Sequence, residues 1–183
     1  ILNTHNFISD YERNTSFGNL NSGVFFQLQD NYSNPETQIR RLIPDYLKAT
    51  LGGYFTATYN QIENFIFELG ARYEYHNNEV QKFYRDRRWN AENYEPLLRK
   101  YVIKEESSQK LVKRRLEFNS LSFSTGVRHH VSLPYSVNLN YNYTQRAPNI
   151  AEMFSDGLHH SLASIEYGCL LYTSDAADDR SGV

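Results

Sequence analysis

The run YSVNLNYNYT, Tyr135–Thr144, alternates without a break. Tyr135, Val137, Leu139, Tyr141 and Tyr143 fall on one face, and Ser136, Asn138, Asn140, Asn142 and Thr144 on the other. Successive side chains of a strand point to opposite faces, so a period of two marks a strand with one apolar and one polar side. On the apolar face the tyrosines stand at the two ends, with Val137 and Leu139 between them. The eight residue steps from Tyr135 to Tyr143, at about 3.3 Å each and tilted by roughly 40°, cover on the order of 20 Å. That is close to the apolar band, about 25 Å tall, between the aromatic girdles of a transmembrane β-barrel.

The same alternation recurs upstream. Leu47, Ala49, Leu51, Gly53, Phe55, Ala57 and Tyr59 oppose Lys48, Thr50, Gly52, Tyr54, Thr56 and Thr58. Phe65, Phe67, Leu69, Ala71, Tyr73 and Tyr75 oppose Ile66, Glu68, Gly70, Arg72, Glu74 and His76. Leu121, Phe123, Thr125 and Val127 oppose Ser122, Ser124, Gly126 and Arg128. Leu20, Val24, Phe26 and Leu28 oppose Asn21, Gln27 and Gln29, with Phe25 breaking the pattern. Residues 1 to 15 alternate too poorly to assign.

The connections differ by end. Asn60–Glu63 and His130–Pro134 have the length of tight turns, whereas Tyr32–Tyr46 and Asn77–Arg115 read as one long loop and one very long one. Long structureless loops are uncommon in compact soluble domains, while short turns at one end and long loops at the other are the plan of an outer-membrane barrel. Glu68, Arg72, Glu74 and His76 would be costly in a dry sandwich core but cost little against a wet or plugged lumen. The expected fold is all-β: an antiparallel up-and-down transmembrane β-barrel segment of about five or six strands, part of a larger barrel and not closed alone. Such an open sheet has two unpaired edges and should aggregate if expressed by itself.

Composition agrees. Among 183 residues there are 15 Tyr, 11 Phe and one Trp, yet the mean hydropathy is −0.65. No stretch approaches the roughly 18 apolar residues of a membrane helix. The 19 basic and 21 acidic side chains nearly cancel, which argues against nucleic acid as a partner.

The end of the chain reads differently. CLLYTSDAADD, from Cys169, matches a translated transposase-type sequencing adapter, so residues 169–183 are expected to be an artefact tail and residues 1–168 a partial barrel. The one cysteine falls in that tail, leaving no disulfide, thiolate metal site or cysteine nucleophile in residues 1–168. The authentic chain should continue past Gly168 into a further amphipathic strand.

YTQRAPNIAEMFSDGLHHSLASIEYG, Tyr143–Gly168, resembles the signature of TonB-dependent outer-membrane receptors, in which an aromatic strand end leads into R-A-P-N/S and an acidic-apolar pair. RRLIPDY (Arg40–Tyr46) and FELGARYEYH (Phe67–His76) are similar to further segments of these barrels, particularly the Bacteroidota type. SIEYG stands where YEIG order is commoner. The resemblance implies a barrel of about 22 strands around an N-terminal plug, coupled to the TonB energy complex. It further implies energised uptake of a scarce nutrient (ferric siderophore, haem or cobalamin type) across the outer membrane of a Gram-negative cell. A passive porin-like or adhesin barrel is the alternative, then a soluble β-sandwich binding module.

Candidate sites are few. Adjacent strand residues face opposite ways, so neither His129-His130 nor His159-His160 chelates through both rings if extended. His129-His130 is expected at the membrane interface, and His159-His160 in a loop where a metal or haem contact is conceivable. Pro148, lacking an N–H, should end its strand, with Arg146 and Asn149 bracing the loop base. Asn77–Arg115 carries 11 basic and six acidic residues interleaved with Tyr84, Trp89, Tyr94 and Tyr101. Lipopolysaccharide phosphates or an anionic nutrient suit it better than nucleic acid. No enzyme is expected: GxSxG, HExxH and P-loop motifs are absent, and Asp45, His76 and Asp156 lack convergent spacing. No catalytic residue, metal or cofactor is assigned. Glu68, Arg72 and Glu74 are expected to face a plug, and Leu51, Phe55, Phe67, Leu69, Val137 and Leu139 to face lipid along with outer-membrane lipopolysaccharide.

Overall fold

The computed structural model describes residues 1–32, 42–132, 134–159 and 164–167. In chain order the strands are β1 (Leu2–Thr15), β2 (Gly18–Asn31), β3 (Asp45–Tyr59), β4 (Phe65–Arg85), β5 (Val102–Glu106), β6 (Gln109–Ser132) and β7 (Tyr135–Thr144). They form one antiparallel sheet in which β1, β2, β3, β4, β6 and β7 follow one another and the short β5 joins the far end of β6. Three short helices, α1 (Asp86–Ala91), α2 (Glu95–Leu98) and α3 (Ile150–Phe154), and a two-stranded β8 (Asp156–His159) with β9 (Ser164–Tyr167), complete it. The sheet is open, with β1 and β7 at its edges, and its six long strands match the number expected.

Residues 1 to 15, too irregular to assign from alternation, are a full strand paired with β2 from Leu2↔Asn31 to Thr15↔Gly18. Their turn, Ser16-Phe17, needs Gly18: its φ is +146°, and a Cβ there would run into the Thr58 carbonyl. Asn64 makes the β3–β4 turn with φ 64°, which asparagine tolerates, and its carbonyl accepts a 2.8 Å bond from His130 N–H of the neighbouring turn. The tight turns β1–β2, β3–β4 and β6–β7 therefore lie at one end of the sheet, and the two-residue β5–β6 turn at the other.

The registers turn alternation into two faces. Thr56↔Gly70↔Ser124↔Asn142 runs across the polar face, and Ala57↔Leu69↔Thr125↔Tyr141 across the apolar one. Leu51, Phe55, Phe67, Leu69, Val137 and Leu139 all share the apolar face as expected and stand exposed, Leu139 at 69%. Among the described residues no second sheet covers them. A continuous exposed apolar face of this kind marks contact with another apolar phase.

Phe25 breaks alternation because it belongs to the polar face. Its ring lies over Gly52 on β3, where a Cβ would come within 2.3 Å of the ring carbon Cζ. Tyr54 covers Gly23 of β2 in the same way, so the two strands interlock through reciprocal ring-on-glycine contacts.

The Asn77–Arg115 segment is not a loop. β4 and β6 stay paired to Arg85↔Gln109, about 30 Å of ladder beyond Tyr75, with β3 still paired to β4 as far as Asp45↔Gln81. Only residues 86–108 leave the ladder, and these hold α1, α2, a 3-10 turn (Arg99–Tyr101) and β5. Nor do they float free. Val80, Tyr84, Trp89, Leu98 and Val112 form a buried apolar cluster with Ile150, Met153 and Phe154 of α3. This flap, not the sheet between its two aromatic ends, holds the hydrophobic core of the described residues.

Candidate functional site: a polar wall beneath a cored flap

The polar face of β1–β4 and β6 carries a run of connected side chains. The Tyr54 hydroxyl donates to Asp10. The Arg72 guanidinium lies 4.6 Å from the centre of the Phe25 ring, a cation–π distance, and donates to Glu74, Nε to Oε1 at 3.0 Å. Glu74 Oε2 stands 3.5 Å from His76 Nε2. The His76 ring is held from both sides, Nδ1 at 3.2 Å from Thr50 Oγ1 and Nε2 at 3.4 Å from Ser120 Oγ. Burial deepens toward the flap: Thr50, His76, Ser120 and Asn78 are buried, and Asn78 Oδ1 has no partner there. Thr50 and His76 line an open concavity of about 640 Å³ together with Asn6, Gln27, Lys48, Tyr54 and Arg72.

The expected lumen residues thus come together. Arg72, Glu74 and His76 form one network, and Glu68 lies lower on the same face, opposite Gly126. A wall of paired charges and amides, amid few apolar side chains, can bind a polar body and hold it in one orientation.

The other candidates separate. His129 stacks on Phe65 at 4.1 Å between ring centres, at the tight-turn end of the sheet, and His130 follows it onto the opposite face. His159 ends β8, and His160 lies outside the described residues. Asp45 shares the phase of Leu47 on the apolar face and His76 lies on the polar one, so the two do not converge. Asp156 opens β8 after α3. Among the described residues no three His, Cys, Asp or Glu side chains gather as a metal site.

The RAPN run does brace the loop base, but as a helix start. β7 ends at Thr144, and the Asn149 side chain accepts from Ala151 N–H at 3.1 Å to cap α3. Glu152 closes the capping box by accepting from Asn149 N–H at 2.8 Å, and Arg146 Nη2 reaches the same carboxylate at 2.9 Å. The Arg146 guanidinium and then the Asn149 N–H hold the Glu152 carboxyl below the usual carboxylate range. Because the folded pKa is depressed, the cap's contribution is full above the ordinary glutamate value of about 4.3 and is lost as pH falls through the folded value. Amide protection in α3 should therefore differ between the native chain and Glu152→Gln near neutral pH, and the difference should vanish in acid. A pH-independent difference would show that charge plays no part.

The basic and aromatic residues of the flap also have duties. Lys113 pairs with Glu79 at 2.7 Å, Arg115 with Glu117 at 3.0 Å and Lys104 with Glu106 at 2.9 Å. Tyr84, Trp89 and Tyr94 meet edge to face inside the flap, with Trp89 Nε1–H donating to Glu95 at 2.6 Å. They are core and not the exposed stacking platform that single-stranded nucleic acid uses.

Residues 2–178 match the family described as TonB dependent receptor-like, beta-barrel. The matched span runs past Gly168 into the segment read above as a tail. No curated protein matches the chain, and no solved structure does. The family's members are transporters whose barrels stand in the outer membrane of Gram-negative bacteria. An open antiparallel sheet, apolar on one side and polar on the other, is what a sector of such a barrel must be, and the chain belongs to the TonB-dependent receptors as part of their β-barrel.

Proposed function

We propose that this chain forms one sector of an outer-membrane receptor that takes up a scarce nutrient, of the ferric siderophore, haem or cobalamin type, with energy supplied through TonB. The observation that carries this reading is the connected polar wall from Asp10 to Ser120, set back to back with an exposed apolar face. A wide aqueous pore needs no such network. A barrel that encloses a folded plug does, because the plug must seat against the wall in one orientation and release reversibly. Asp10, Arg72, Glu74 and Glu68 would meet the plug, the apolar face would meet lipid, and the flap would stand in the lipopolysaccharide layer.

Residues 1–168 make up the receptor sector in this reading, and residues 169–183 come from an adapter. Long-read sequencing of the source DNA tests the second point: CLLYTSDAADD inside one continuous reading frame would refute it. Deleting the complete gene tests the first. Loss of energy-dependent uptake of a single nutrient is the expected result. A general change in small-solute permeability would instead favour a passive porin-like barrel, and an upstream frame without a plug domain would exclude the receptor.

A further inference from the structure

The apolar cluster of the flap lies on the polar-face side of the sheet. Val80, Tyr84 and Val112 are in phase with Arg72, His76 and Ser120, so α1, α2 and α3 gather on the lumen side, above the buried belt of Thr50, His76, Asn78 and Ser120. The flap and α3 come from different parts of the chain, and α3 follows directly on β7. Three observations tie them. Ile150, Met153 and Phe154 are each at most 3% exposed within the cluster. Lys82 Nζ donates to the Phe154 carbonyl at 2.8 Å. The start of α3 is fixed by the Asn149–Glu152 box and by Arg146.

We propose that α3 is a clasp that locks the flap as a standing roof over the β3–β4–β6 sector of the barrel mouth before any ligand binds, and confines access to the remaining rim. This deepens the receptor reading and rests on it for the placement of the sheet around a barrel mouth. A five-residue helix has no stability of its own. It persists because it is docked, and docking in turn supplies three of the eight buried apolar side chains of the flap. Each part is therefore ordered by the other, which makes the pair one cooperative unit. A capture loop that closes on a ligand is drawn from the weakly ordered end of a structure, and this flap is not.

Hydrogen exchange on the complete receptor in outer-membrane vesicles, free of ligand, tests the clasp. Amides of the flap helices (residues 86–101) should exchange at least about a hundredfold slower than an unstructured peptide. Met153→Asp should accelerate exchange in residues 80–112 together with 146–155, leaving β1 and β2 unchanged; Met153→Leu should not. Unprotected flap helices in the native receptor would overturn the proposal. So would flap protection that survives Met153→Asp while α3 itself becomes unprotected. Should Met153→Asp fail to insert, Asn149→Ala, which removes only the cap, must loosen α3 and the flap helices in parallel or the proposal fails. Nutrient uptake is read separately, so loss of the clasp and loss of the receptor reading remain distinguishable.

Discussion

Trp89→Ala is expected to cost the flap about 3–5 kcal/mol, the usual penalty for emptying a buried tryptophan site. Trp89 is 1% exposed, it meets Tyr84 and Tyr94 at 5.9 Å and 6.1 Å between ring centres, and its N–H is bonded to Glu95. Truncation leaves the Glu95 carboxylate without its indole donor and opens a cavity between two tyrosines. The loss should stay local. Protease cleavage between Asp86 and Ser108 should become rapid, while the temperature at which the folded barrel loses its compact electrophoretic mobility barely moves. A large fall in that temperature would mean that the flap core supports the membrane sheet, contrary to its position beyond Tyr75.

The second large effect concerns facing. Leu139 is at the middle of β7 on the apolar face, opposite Val127, and Leu69 holds the equivalent place on β4 between Ala57 and Thr125. Arginine at either position should cost about 2–4 kcal/mol if the site lies near the bilayer midplane. At Asn140 or Thr56, on the polar face, the same change should be mild because the charge keeps its water. Unfolding midpoints of the four variants in lipid vesicles decide the matter. Equal costs on both faces would contradict the orientation of the sheet.

The division into two faces was legible in the sequence because geometry leaves no choice. Once Leu139 is on the apolar face, Asn138 and Asn140 cannot be. The β1 strand was not, since its outward positions include Asn3, His5, Ser9 and Arg13, and pairing with β2 overrides a weak pattern. Strand character beyond Asn77 was hidden for a related reason. Past Asn77 the outward face carries Glu79, Gln81, Lys113 and Arg115, so alternation fades although the ladder continues. The flap core could not be read at all, because it joins Trp89 and Leu98 to Met153 across the whole of β6 and β7. The start of α3 was readable: asparagine followed three residues later by glutamate, ahead of apolar residues, is a capping signature. Reading RAPN only as the end of a strand passed over the beginning of a helix.

The ring-on-glycine contacts between β2 and β3 reach further than local packing. A slip of two residues keeps every side chain on its proper face, so alternation alone does not prevent it. It would, however, set Phe25 against Thr50 or Tyr54 instead of Gly52, and leave Tyr54 facing Phe25 or Asn21 in place of Gly23. Neither ring then finds a vacancy. The two glycines thus select one stagger between the strands, and stagger summed around a closed barrel, together with strand number, determines its diameter. Two absent side chains in this sector help to set how wide the whole barrel is.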